Sequence, residues 1–395
     1  MQKGQSMLTA QTISIVKSTA PVLAEKGLLI TKEFYRRLFA NHPEMKHIFN
    51  MTNQRDDSQA RALADAVFAY ASHIDQLDAL LPAVERIASK HASIGVEPHH
   101  YPIVGENLLA AIQAVLGLAE DDPAIKAWEE AYRVLAKVFI DTEENIYASN
   151  EQRQGGWRGF RSFIIDKIVD ETSEVKSFYL KPTDGGHICH YVAGQYIGIK
   201  VSPENSNYDE IRQYSLSDWG HNKHYRITVK AEPKGVVSKH LHDCREGDEV
   251  QLRAPTGQFR LNKSAKRHVF ISGGVGITPL YSMLKEALLI ETKPEYIQFI
   301  ECCRSAEHQV LKYDLAAIHQ EYFFDYKRVF ETGDSADWRG YLTAEVLNKW
   351  IPNKDVDVYF CGPKPFMSAL KRMLNEINIP DSQLHYEIFG PTTAI

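Results

Sequence analysis

From residue 8 to about residue 148, apolar side chains recur at helical spacing, the breaks fall at Pro21, Pro43, Pro98, Pro102 and Pro123, and no alternating β-branched run occurs. This pattern predicts an all-α domain of several short helices. Glu151-Gln-Arg-Gln-Gly-Gly-Trp157 is polar and then glycine-rich, the composition of a linker. From Phe160 to about Leu261 the period changes to two, in FRSFIIDKIV, VKSFYLKP, GQYIGIKV, HYRITVKA, EVQLRAP and GQFRL, separated by glycine, proline and aspartate turns. Short strands so spaced predict a small antiparallel β-barrel. The rhythm then becomes strand and helix: HVFIS, ITPLYSMLKEALLI, EYIQFIECC, EHQVLKYDLAAIHQ, DVYFCGP and KPFMSALKRMLNEI. Strands alternating with helices predict an α/β domain with a parallel sheet and crossover connections. The expected organisation is 1–149 helical, with 1–6 an extension, 150–156 a linker, 157–264 the barrel and 265–395 the α/β domain.

The 395 residues are too many for one core, and 44% hydrophobic with 24% charged residues describes a globular chain. Net charge is −6, and the first 150 residues carry 14 Lys and Arg against 19 Asp and Glu, which excludes the basic footprint of a nucleic-acid binder. Small-molecule partners are expected. Five cysteines, with Cys302 and Cys303 adjacent, form neither a spaced disulfide framework nor paired CxxC sites, so a reducing cytoplasm is expected. No apolar run is long enough for a membrane span, and MQKGQSMLTAQ lacks the features of a signal peptide.

Gly273-Gly-Val-Gly-Ile-Thr-Pro279 follows an apolar strand and opens a helix, where backbone N–H groups and the helix dipole can meet a pyrophosphate. A tight turn that needs glycine for positive φ would give the same short motif. Arg212-Gln-Tyr-Ser215 in the barrel and Gly235-Val-Val-Ser238 before a helix offer groups for a flavin phosphate and ring, or, taken singly, a sheet-edge arginine and a serine cap. With Cys361-Gly-Pro363 after the penultimate strand and Glu387-Ile-Phe-Gly-Pro391 near the end, the order of motifs over residues 157 to 395 closely resembles the ferredoxin-NADP reductase superfamily. The resemblance implies FAD contacts at Tyr196, Arg212, Gln213, Tyr214 and Ser215, and NAD(P)H contacts at Gly274, Val275, Gly276, Ile277, Thr278 and Pro279. It also implies that Cys361, Gly362 and Pro363 border the nicotinamide and that Phe389, within Glu387, Ile388, Phe389, Gly390 and Pro391, stacks on the flavin. Arg304 and Ser305 would meet either a 2′-phosphate or the adenosine, leaving NADH and NADPH both open.

In the helical half, Val84, Ile87, Ala88 and His91 stand at i, i+3, i+4 and i+7, so His91 shares an apolar stripe. Such a histidine is commonly a hydrogen-bonded core residue. Tyr35 shares a face with Leu28, Thr31 and Leu38, and Glu143 shares one with Tyr132, Ala136, Phe139 and Ile146, so a phenol and a carboxylate also point inward. A buried carboxylate needs a partner, and an imidazole N–H would be one, as where a carboxylate orients a metal-ligating histidine. His42, His47, His73, His99 and His100 adjoin prolines, turns or polar faces and are expected in solvated roles.

FYRRLF with Tyr35, IFNMTNQRDDSQ with Phe49 and Gln59, KHAS with His91, HHYPIVGENLL with Tyr101 and FIDTEENIY with Glu143 occur in the order of a bacterial globin. With the reductase motifs attached, the whole chain resembles the flavohemoglobins. The resemblance implies heme b held by His91 as proximal iron ligand, Phe49 against the heme, Tyr35 and Gln59 facing bound oxygen, Tyr101 and Glu143 supporting His91, and Lys90 adjoining them. It implies a nitric oxide dioxygenase: NAD(P)H reduces FAD, electrons pass singly to heme, and NO and O2 become nitrate. A heme-flavin NAD(P)H oxidase, an anaerobic NO reductase and an oxygen-storage or gas-sensing globin are the alternatives. A monomer with no obligatory protein partner is expected.

Overall fold

The computed structural model describes residues 8–51, 57–203, 206–221, 223–333 and 335–390. The expected extension at 1–6 and the site residue Pro391 lie outside them. By contacts the chain divides into two compact units, one of residues up to 150 with 200–212, the other of 151–199 with 213–390.

The first unit is helical: α1 (Ala10–Ser18), α2 (Ala20–Asn41), a 3₁₀ turn at Pro43–His47, α3 (Ser58–His73), α4 (Leu77–Ile94), α5 (His100–Leu116) and α6 (Pro123–Gln152). The last of these continues into the segment read as a linker. Thr9 caps α1 by accepting a hydrogen bond from the Thr12 N–H at 3.0 Å, and α4 stops at Gly95, whose φ of 86° is the left-handed conformation that glycine adopts without a Cβ clash. Pro102 lies in the first turn of α5 and does not interrupt it, because N–H groups there have no intrahelical acceptor to lose. Val16, Leu23, Ile30, Phe34, Leu38, Ile112 and Trp128 fill the core between the helices.

Residues 161–386 form two six-stranded sheets. The antiparallel one uses β1 (Arg161–Asp170), β2 (Val175–Pro182), β3 (Tyr196–Val201), β4 (Glu210–Ser215), β5 (Tyr225–Lys230) and β6 (Glu249–Leu252) in the order β4-β3-β6-β1-β2-β5. A bridge between Leu216 and Ile227 joins the two ends of that order and closes the sheet. The expected strand over GQFRL does not form: Gly257 takes a φ of 128° under the Tyr196 ring, which breaks the extended run. Helix α7 (Val236–Asp243) begins inside Gly235-Val-Val-Ser238 rather than after it.

The second sheet is parallel, with β7 (Arg267–Gly273), β8 (Tyr296–Cys303), β9 (Asp325–Phe330), β10 (Trp338–Arg339), β11 (Asp357–Cys361) and β12 (Leu384–Tyr386) in the order β10-β9-β8-β7-β11-β12. Helices α8 (Ile277–Leu289), α9 (Lys312–Glu321), α10 (Ala344–Trp350) and α11 (Lys364–Glu376) connect the strands. Chain order reverses between β7 and β11, so the carboxyl ends of these two strands form the switch point at which open α/β sheets bind ligands. Among the described residues, no helix is long and apolar enough to cross a membrane.

Candidate functional site

Helix α4 presents His91 four residues before its glycine cap, and α5 and α6 bring Tyr101 and Glu143 to it. Glu143 is 2% exposed, and its Oε1 lies 2.7 Å from His91 Nδ1 and 2.6 Å from the Tyr101 hydroxyl. A carboxylate only accepts, so Nδ1 carries the ring proton and Nε2 is left with a lone pair. No described residue hydrogen-bonds Nε2, and the side chain keeps 32% of its exposure. Burial and the Glu143 carboxylate push the Tyr101 hydroxyl pKa far above the ordinary phenol value, so Tyr101 stays a donor. Phe139 packs on the imidazole with ring centres 5.6 Å apart, and the Tyr132 hydroxyl donates to the Tyr101 carbonyl at 2.6 Å.

On α2, Tyr35 is 7% exposed and packs among Phe34, Phe39 and Phe49; the Tyr35 and Phe49 ring centres are 5.7 Å apart. Gln59 is the second residue of α3 and half-buried, as is Lys90 on α4. Three of the other helical-half histidines serve local structure, His42 pairing with Glu44, His73 with the Ala69 carbonyl and His100 with the Glu97 N–H.

In the closed sheet, Arg212, Gln213, Tyr214 and Ser215 form most of β4. The Arg212 guanidinium is held 2.9 Å from Glu210 Oε2 and donates to the Ile211 carbonyl at 2.8 Å. Tyr196 is buried at the start of β3, and burial, reinforced by Glu387, raises its hydroxyl pKa. Beyond β12, Cys361 Sγ lies 3.4 Å from the Glu387 carbonyl, Ile388 packs on the parallel-sheet core, and Phe389 and Gly390 are exposed.

At the switch point the two loops touch backbone to backbone. A Cβ on Gly276 would lie 2.2 Å from the Cys361 carbonyl oxygen, and one on Gly362 would lie 3.1 Å from the Gly273 Cα. Phe366 fills the space beside Gly273 and Gly362. Gly274 differs: its φ is 53° and nothing lies within 4 Å of where a Cβ would stand, so its backbone is open to approach. Thr278 donates to the Val275 carbonyl at 3.1 Å, tying the loop to the start of α8, in which Ile277 and Pro279 are buried. Burial raises the Cys361 thiol pKa, so Cys361 is a neutral packing group at the end of β11.

Family models match three consecutive parts of the chain: Globin at 32–139, Oxidoreductase FAD-binding domain at 162–261 and Oxidoreductase NAD-binding domain at 270–372. The flavohemoprotein of Halalkalibacterium halodurans is 44% identical over 98% of both chains, and that of Bacillus subtilis is 43% identical over 98% of this chain and 99% of its own. The chain belongs to the flavohemoprotein family. It is therefore an oxidoreductase of the heme and flavin type. A crystal structure of flavohemoglobin from Malassezia yamatoensis superposes with a TM-score of 0.88 at 26% identity, over 97% of this chain and 100% of that one. The FAD/NAD-binding domain of a Vibrio cholerae nitric oxide dioxygenase superposes with a TM-score of 0.54 at 33% identity, over 58% of this chain and 99% of that one.

Two supports in this flavohemoprotein escape a sequence reading. Phe39 joins Tyr35 and Phe49 in one aromatic cluster, with ring centres 5.8 and 5.7 Å away. Phe366, the third residue of α11, packs its ring beside both Gly273, at the end of β7, and Gly362, just after β11. Helical spacing from Tyr35 would have found Phe39; nothing local marks Phe366.

Proposed function

We propose that this flavohemoprotein is a nitric oxide dioxygenase, using heme b, FAD and NAD(P)H to convert NO and O2 to nitrate, as a cytoplasmic monomer. The observation that carries the reading is the imidazole of His91, with Nδ1 committed to a buried carboxylate and Nε2 without a partner among the described residues. That donor set fits heme iron, and the open face of Gly274 beside the switch point fits a nucleotide pyrophosphate. Bound heme supplies a one-electron iron centre for a diatomic ligand, and bound FAD divides a hydride pair into single electrons.

The chain's own residues supply the rest. Glu143 fixes the His91 ring and its tautomer, and Tyr101, donating to the same oxygen, stops that carboxylate from turning away. Tyr35 and Gln59 would donate hydrogen bonds to a ligand oxygen on the opposite side, with Phe49 and Phe39 restricting water. Arg212, Tyr214 and Ser215 would hold the flavin, and Gly274 to Pro279 the nucleotide. The similarity to the FAD/NAD-binding domain of the Vibrio cholerae nitric oxide dioxygenase supports the dioxygenase reading.

The test is product stoichiometry with the holoenzyme under air. Each nitrate needs one electron, so a dioxygenase gives two nitrates per NAD(P)H in the presence of NO. NAD(P)H consumption unaffected by NO, with reduced oxygen as product, would indicate an oxidase. Nitrous oxide without oxygen would indicate a reductase, and no turnover a binding globin.

A further inference from the structure

The connection from β4 to β5 carries a cluster that none of this chemistry uses. Asp218, His221 and His224 are spaced three residues apart in Asp218-Trp-Gly-His-Asn-Lys-His224, and Gly220, at a φ of 91°, turns the chain back so that they converge. One donor atom from each lies within 4.8 Å of those of the other two. We propose that these three side chains form a binding site for a divalent transition-metal ion of the zinc class, which clips the connection shut.

The donor set is the first argument. Two imidazoles and a carboxylate are ligands that zinc takes at about 2.0–2.2 Å, and tetrahedral bonds of that length place donors about 3.3 Å apart. The closest pair, Asp218 Oδ2 and His221 Nε2, is already 3.0 Å apart and hydrogen-bonded. In that pair Nε2 holds the ring proton; on metal binding the ring takes its other tautomer, with the proton on Nδ1 in place of the long contact from the Lys223 N–H, so that Nε2 offers its lone pair to the metal. The imidazole rings of His221 and His224 lie with centres 4.3 Å apart, so rotation of two short side chains closes the remaining gap.

His224 supplies the second argument. Its Nε2 is buried and hydrogen-bonds to no described residue, while the ring is packed edge-on against Tyr179 with centres 4.8 Å apart. A buried ring nitrogen with no partner loses its solvation without replacement, so such atoms are uncommon unless a ligand claims them. Burial, followed by the neighbouring His221, pushes the His224 pKa down to about 4, so the ring is a neutral donor at physiological pH.

Asp218 is oriented as a metal carboxylate would be. Its Oδ1 is taken by the Trp219 N–H at 2.8 Å and by Lys285 Nζ at 2.5 Å, which leaves Oδ2 directed to the histidines. Its carbonyl accepts from Tyr191 Oη at 2.6 Å and Ser282 Oγ at 3.0 Å, so its backbone is fixed between the closed sheet and α8. Burial alone would raise the Asp218 pKa, but His221, Arg226 and Lys285 together hold it well below the ordinary range, so the ligand is ionised. Lys285 and Arg226 also oppose a cation. The site therefore binds more weakly than an isolated one, and removing the Lys285 charge tightens it.

The experiment titrates zinc chloride calorimetrically into the full-length protein loaded with heme and FAD, with nitrilotriacetate as competitor. Parent, His224→Gln, His221→Gln and Lys285→Met proteins are compared at equal flavin and heme content, read from their absorption spectra, so that a misfolded variant is recognised. The parent should take up one more equivalent than either histidine variant, and Lys285→Met should bind that equivalent at least about tenfold more tightly. Zinc K-edge absorption of the parent should show two imidazoles and oxygen. Failure of the parent to bind zinc, equal uptake by parent and His224→Gln, unchanged affinity in Lys285→Met, or sulfur in the zinc shell would overturn the proposal.

Discussion

His91 Nδ1 lies 2.7 Å from Glu143 Oε1, the same oxygen to which the Tyr101 hydroxyl donates at 2.6 Å. Sharing makes the carboxylate's charge available to the imidazole while fixing where that charge sits. Glu143→Gln keeps the shape and removes the charge, so the ring nitrogen opposite becomes less basic and favours ferric iron less. In the holoenzyme the heme reduction potential should rise by an amount on the order of 1 kcal/mol, about 40 mV for one electron. Potentiometry checks this, together with a lower iron–imidazole stretching frequency in resonance Raman. Flavin reduction by NAD(P)H should be unchanged.

Tyr35→Phe should release oxygen roughly ten- to a hundredfold faster, because one hydrogen bond of about 1.5–3 kcal/mol to a partly charged ligand is removed. The ring stays in its cluster with Phe39 and Phe49, so thermal stability should change little. Flash photolysis measures the rate. Equal rates in mutant and parent would place Tyr35 away from the ligand.

Gly276→Ala should abolish fast reduction of the flavin by NAD(P)H while leaving oxygen binding by the reduced globin half intact. The added methyl would stand 2.2 Å from the Cys361 carbonyl oxygen and 2.6 Å from the Gly362 nitrogen, both backbone atoms that cannot move alone. Stopped-flow reduction with NADH and NADPH checks the first half. A dithionite-reduced oxygen-binding spectrum checks the second.

His268 gives a pH dependence. It is fully buried at the start of β7, neither ring nitrogen has a hydrogen bond to a described residue, and burial pushes its pKa from 6.5 down to about 4 although Asp357 pulls it up. Between those values the unfolded chain binds a proton that the folded one excludes, so stability is full above about pH 6.5 and falls as pH drops toward 4. The loss attributable to this group is at most about 3 kcal/mol. His268→Leu should be at least as stable as the parent at pH 7 and should lose less between pH 6.5 and 4.5, measured by urea denaturation followed through flavin release.

Much of this was legible because each signal is local. Strand VKSFYLKP occupies β2 from Val175 to Pro182, and the stripe ending in His91 lies on α4, because periodicity reports directly which face is covered. The inward placement of Tyr35 and Glu143 followed from the same spacing. What escaped depends on distant partners. GQFRL alternates like a strand, yet Gly257 yields to the Tyr196 ring, a contact that arises only once β3 is in place. Strands β9 and β10 were also missed: β10 is only two residues long, and β9 has just two buried residues at its end. The convergence of Asp218 with Lys285 depends on α8 packing beside a connection in the barrel.

The contact between Gly276 and Cys361 would set how the proposed nucleotide site responds to its occupant. Ser272 and Cys361 are register partners on neighbouring strands, so both loops leave the sheet side by side and the glycines let their backbones meet. A floor made this way has few conformations to lose when a dinucleotide arrives. Its ordering entropy is spent during folding, so at the proposed site exchange of oxidised for reduced nucleotide would not wait for these two loops to rearrange.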